Sequence, residues 1–208
     1  MFRFVTATAM ALSLAASASA QVVVKGSDTY KVAFENDFVR IERAHYPAGA
    51  KVESHAHPPS NTVYVYLNDS EGIIFRHTSG SSHTVTRQPV KTGALRISGG
   101  GNEHHSVENT SAAASDFLRV ILKTQATGRG GGRMAATDMT YANSQIKITR
   151  LRVAPHQSAT ISGDLPSVLI DVPSGNERWV DGGGSHKVDN HDAREQMLVR
   201  IEFLTKPR

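Results

Sequence analysis

The sequence predicts an all-β protein, a sandwich or jelly-roll barrel followed by a second, shorter β unit. Short runs of alternating apolar residues recur between clusters of Gly, Pro, Asn, Asp and Ser, and no stretch keeps a helical period. A glycine-rich stretch from Gly128 to Arg133 then separates two parts whose sequences resemble each other. Within the first part, histidines fall at strand spacing in two places.

In chain order, Met1–Ala20 reads as a secretory signal peptide. Arg3 supplies the positive end, Val5 to Ala16 the short apolar run, and Ala18-Ser19-Ala20 the small-residue cleavage site before Gln21. The expected location is periplasmic or secreted, with no membrane anchor after cleavage. The chain has no cysteine, so neither lipid attachment nor a disulfide is available.

Residues 21–123 are expected to be one β domain. Phe38 to Tyr46 is a strand ended by the turn Pro47-Ala48-Gly49. Thr62 to Leu67 alternates aliphatic and aromatic residues and stops at Asn68-Asp69-Ser70. Tyr64 and Tyr66 on it read as packing residues. Shorter strands are expected at Gly72–Arg76, His83–Arg87 and Ala94–Ile97, and Phe117–Lys123 closes the unit with Leu118, Val120 and Leu122 on one face.

Residues 124–140 are expected to be a Gly-rich linker and residues 141–208 a degenerate, shortened copy of the first domain. Tyr141 to Arg150 aligns with Phe34 to Arg43, and His186-Lys187-Val188-Asp189-Asn190 with His105-Ser106-Val107-Glu108-Asn109. The second pair is spaced more tightly than the first, by about a hairpin's length. In this alignment Ser162 and Asp164 take the places of His55 and His57, a poor donor set for a transition metal. The copy is expected to cover open sheet edges, and Trp179, the only tryptophan, to anchor its core.

His55-Ala56-His57 carries the chemistry. Two histidines at i and i+2 on a strand face the same way, and a third from a neighbouring strand completes a three-nitrogen face for a divalent transition metal. His105 supplies the third. His104, adjacent in sequence, faces the opposite side and lies at the mouth or surface. His45, His77, His83, His156 and His191 have no motif around them and read as surface or strand residues.

Gly49-(x5)-His55-Ala56-His57, with the later stretch Gly99 to Thr110 ending in His105-x-x-x-Asn109, resembles the two motifs of the cupin superfamily over roughly residues 34–123. The resemblance implies a jelly-roll barrel and metal ligation by His55, His57 and His105. The Glu of the family's first motif would fall near Asn61 or Thr62, and neither is anionic. Asn61 is then a weak fourth ligand or a hydrogen-bonding partner of the ligands, with water filling the position otherwise. Fe, Mn, Ni and Zn all suit the histidines, and binding is expected to weaken below pH about 6.5.

Two functions follow. One is an exported metal-dependent enzyme, a small-molecule dioxygenase or isomerase; the other is a non-catalytic periplasmic module that binds or senses a small ligand without metal. Sequence leaves open whether the chain is catalytic and whether it forms a homodimer. Its net charge of +4 comes from scattered residues. No Lys/Arg cluster is interleaved with aromatics, which argues against nucleic acid. Arg129, Arg133, Lys147, Arg150 and Arg152 are explained by a solvated linker and an exposed strand face.

Overall fold

A computed structural model describes residues 21–126 and 131–208. The expected signal peptide and the middle of the glycine stretch lie outside the described residues. The first part contains β1 (Val23–Val24), α1 (Gly26–Thr29), β2 (Tyr30–Glu35), β3 (Val39–Tyr46), β4 (Lys51–His57) and β5 (Asn61–Tyr66). It continues with β6 (Ile73–His77), β7 (His83–Thr86), β8 (Leu95–Gly99), β9 (Glu103–Asn109) and β10 (Ser115–Leu122). Then come β11 (Gly132–Met134), β12 (Thr140–Ala142), β13 (Ile146–Val153), β14 (Ser158–Ser162), β15 (Ser167–Val172), β16 (Glu177–Val180), β17 (Ser185–Asp189) and β18 (Gln196–Phe203).

Four sheets stack in sequence. The first, in the order β1-β4-β9-β6-β7, faces the second, β11-β8-β5-β10-β3-β2. Between them lie Tyr46, Val52, Tyr64, Tyr66, Val107 and Phe117, the interior of the jelly roll. On β5 the alternation is complete: Tyr64 and Tyr66 enter this interior, while Val63 and Val65 point through the opposite face.

That opposite face is covered by the second part of the chain. Val63, Ile97, Leu118 and Val120 pack with Ile148, Val168, Val199 and Ile201 of the sheet β12-β13-β18-β15-β16. The second part therefore buries a sheet face, whereas the sequence suggested that it covers edges. The reason is that β5 and β10 are apolar on both sides, so neither face can be left in water. Trp179 packs at this junction, with Phe34, Phe38 and Phe203 within 6.2 Å between ring centroids, so it joins the two parts instead of anchoring one. A last small core, with Ile161, Leu169, Val188 and Leu198, separates that sheet from the pair β14-β17.

Within the expected linker, the described residues include a strand. β11 adds to the edge of the second sheet beside β8, and Met134 is buried. Arg150 is also not on an exposed face: it is 1 % exposed, and its guanidinium donates to the carbonyls of Ala135, Asp138 and Gly93. A guanidinium satisfies several carbonyls that would otherwise be buried without donors.

Candidate metal centre

β4 and β9 pair antiparallel, with His55 opposite His105 and His57 opposite Glu103. Simple alternation from the buried Val52 would send His55 to the other face, because the two are three residues apart. A bulge between Val52 and His55 inserts one extra residue and restores the facing. Val52, His55 and His57 thus all point inward while Glu53, Ser54 and Ala56 are exposed.

The three imidazoles converge. One ligand nitrogen from each lies within 4.8 Å of the others, and the ring centroids are 4.8 to 5.2 Å apart. His105 is 3 % exposed, and both of its ring nitrogens are buried without a hydrogen-bond partner. Buried polar atoms are normally satisfied, so an orphaned imidazole facing two others fits a missing cation. His55 Nδ1 lies 2.8 Å from the Glu53 carbonyl, which can only accept, so this nitrogen carries the proton and Nε2 presents its lone pair. Burial, followed by the charge of Arg119 and the other histidines, pushes His57 down to about 2. Burial and then His55 push His105 down to about 3, and burial lowers His55 as well. All three are therefore neutral near pH 7, the form that ligates metal.

His104 behaves as the alternation requires. It is exposed, opposite Ala56, and bonded to Thr78 Oγ1 at 2.7 Å. Asn61 does not line the histidine cavity; its amide donates to Gln145 in the second part at 2.6 Å.

Most of the neighbours that sequence did not single out arrive from distant strands; Glu103 instead lies two residues before His105 on β9. Tyr30 follows α1 and closes over the triad. Its hydroxyl is 3.2 Å from His55 Nε2 and 2.6 Å from the Tyr46 hydroxyl. Gly26 allows that closure, since a Cβ there would lie 2.6 Å from His55 Cβ. Glu103 brings a carboxylate to the cavity edge, and Arg119, paired with Glu42 at 2.8 Å, lines its wall. His77 sits opposite His105 on β6 and stacks on His83 at 4.7 Å, extending a row of histidines across the first sheet. The cavity holds about 20 Å³, room for a water beside the triad.

No protein-family model and no curated protein sequence matches the chain. Solved structures do match in fold. The bacterial pirin YhhW from Escherichia coli in complex with nickel(II) superposes with TM-score 0.53 at 12% identity, covering 86% of this chain and 91% of that one. Quercetin 2,3-dioxygenase from Acinetobacter baumannii gives TM-score 0.50 at 10% identity, over 83% of this chain and 75% of that one. The fold is the cupin fold. In this cupin fold the two motif segments lie side by side as β4 and β9, so the resemblance seen in sequence has a structural basis.

The second part pairs its strands in a related pattern. β18 lies between β13 and β15 as β10 lies between β3 and β5, and β14 pairs with β17 as β4 pairs with β9. Nothing there corresponds to the β6–β7 hairpin. β14 also has no bulge, so His186 stands opposite the buried Ile161. Ile161 therefore takes the place of His55, not Ser162 as the ungapped alignment suggested.

Proposed function

We infer that this is an exported two-cupin protein whose first barrel binds one divalent transition metal through His55, His57 and His105, and whose second half is a degenerate copy without that site. The observation that carries the reading is His105, buried with both ring nitrogens unpartnered and facing two neutral imidazoles. The nickel(II) complex of the pirin that shares the fold supports a metal of this class. Export rests on the sequence of residues 1–20.

A divalent ion held there supplies Lewis acidity to an oxygen of a bound small molecule. The chain's own groups do the remainder. The Glu53 carbonyl fixes the His55 tautomer. Without a metal, Tyr46 donates to Tyr30, which donates to His55 Nε2; once that lone pair ligates a metal, the Tyr30 hydroxyl is released to a bound ligand. Glu103, at the cavity edge, is placed to take a proton from a bound substrate. Oxygenation or isomerisation of a small substrate is the activity this arrangement favours.

Cobalt(II) titration of untagged protein tests the reading. A single saturable d–d absorption band is expected in the wild type and no band in His57→Ala. A featureless wild-type spectrum would count against the centre.

A further inference from the structure

Beside the histidine cavity lies a larger pocket of about 430 Å³, within the size range of small-molecule sites. Tyr66, Arg87 and Arg96 line both cavities and form the wall between them. The rest of the larger pocket is mainly apolar, with Val90, Leu95 and Met134, and is completed by Arg133. Its far side is built by the segment Ala135–Thr137, held by the buried Arg150 clamp.

The lining carries three guanidinium groups and no carboxylate; Glu103 lies in the neighbouring histidine cavity, which Arg96 also lines. Register puts Arg133 directly opposite Arg96 on neighbouring strands, a like-charge pair that costs stability. Arg96 lies 4.2 Å over the Tyr64 ring and Arg87 5.0 Å over the Tyr66 ring, and the Nε of each is buried without a partner. Among the described residues none of Arg87, Arg96 and Arg133 is in an ion pair. By contrast, Lys91 in the same pocket pairs with Asp69, and Arg119 pairs with Glu42.

We propose that this pocket binds an organic carboxylate, its apolar body against Val90, Leu95 and Met134 and its carboxylate on Arg87, Arg96 and Arg133. Arg87 donates through Nη2 to the Ser70 and Ser115 hydroxyls and so keeps Nε free. A carboxylate supplies the planar acceptor pair that the unpartnered Nε atoms and the Arg133 guanidinium can share. The apolar lining favours an organic body over an inorganic anion, whose hydration it could not replace. A carboxylate on the shared wall stands next to the histidine cavity, so the ligand's class is also that of the substrate. That last step rests on the metal-centre reading; the binding itself does not.

Calorimetric titration with benzoate, phenylacetate and octanoate, against benzamide and inorganic phosphate, tests it on metal-free and on metal-loaded protein. At least one carboxylate should bind saturably in both forms and weaken as salt is raised. Benzamide should bind at least about tenfold more weakly than benzoate, and Arg96→Met should lose about the same factor. Arg133 is exposed, so Arg133→Ser keeps the fold even if the Arg96 variant does not, and should cost several-fold. Equal binding of benzamide, unchanged affinity in both variants, a preference for phosphate, or no carboxylate bound at millimolar concentration would each overturn the proposal. Carboxylate binding by a protein that takes up no metal would sink the metal centre and leave the pocket standing. Metal uptake without carboxylate binding would do the reverse.

Discussion

The two halves of the chain share a framework and differ in chemistry. Asn109 Nδ2 donates to the carbonyls of Tyr46, Pro47 and Ala113, and its Oδ1 accepts from the Ser111 amide. Asn190 makes the same four bonds, to Val153, Ala154 and Arg194 and from Asp192. Asn36 and Asn143 each accept from the two backbone amides that open the following strand. Yet one half gathers three imidazoles, and the other sets Ile161 against His186. In H-x-x-x-N the Asn ties a strand end to its corner, while the His, present in both halves, meets different partners. The β4 bulge and the two histidines that follow it separate the half that gathers three imidazoles from the half whose β14 carries none.

The largest effect should come from the shared framework. Asn109→Ala and Asn190→Ala each leave several buried backbone groups unpaired, and each should lose about 2–4 kcal/mol in urea denaturation. If only one of them destabilises, the halves are not built alike.

Deleting Ser54 removes the bulge and makes β4 resemble β14. Val52 and His55 would then be two residues apart in regular alternation. His55 and His57 should therefore stay on the inner face, with metal kept and circular dichroism still that of a β protein. Metal lost in this deletion would show that the bulge shapes the site beyond the facing it restores.

The pH response separates the halves more gently. His57 and His105 have folded pKa values of about 2 and 3, below the unfolded value of about 6.5, so the unfolded chain binds more protons. Stability of the metal-free protein is thus fully present above pH about 6.5 and is lost as pH falls towards those values. Its slope should approach two protons, about 2.7 kcal/mol per pH unit. His105→Ala should flatten the slope. The same depression means that protons compete with metal only at lower pH than unperturbed histidines suggest, so occupancy should hold at pH 5. The smallest effect belongs to His104→Ala, which should leave metal content unchanged because His104 faces Thr78 and solvent.

Much of this was legible in sequence because strand alternation is local. The strands around Tyr64, Phe117 and His105 follow from period-two patterning, and so does the opposite facing of His104 and His105. The bulge was not legible, since Glu53 and Ser54 are ordinary exposed strand residues, and its absence from β14 misplaced Ser162 by one position. Tyr30, Arg119 and His77 were missed because register between distant strands brings them to the cavity, whereas Glu103, two residues before His105 on β9, was within reach of the same alternation rule. Arg150 was misread because its charge suggested solvent, while its guanidinium serves three buried carbonyls.

The most direct test of the central claim is elemental analysis of untagged protein after incubation with Fe(II), Mn(II), Ni(II) or Zn(II), run beside His105→Ala and His186→Ala. The account predicts about one metal ion per chain in the wild type and in His186→Ala, and almost none in His105→Ala. A wild type without metal, or a His105→Ala protein that keeps it, would contradict the account.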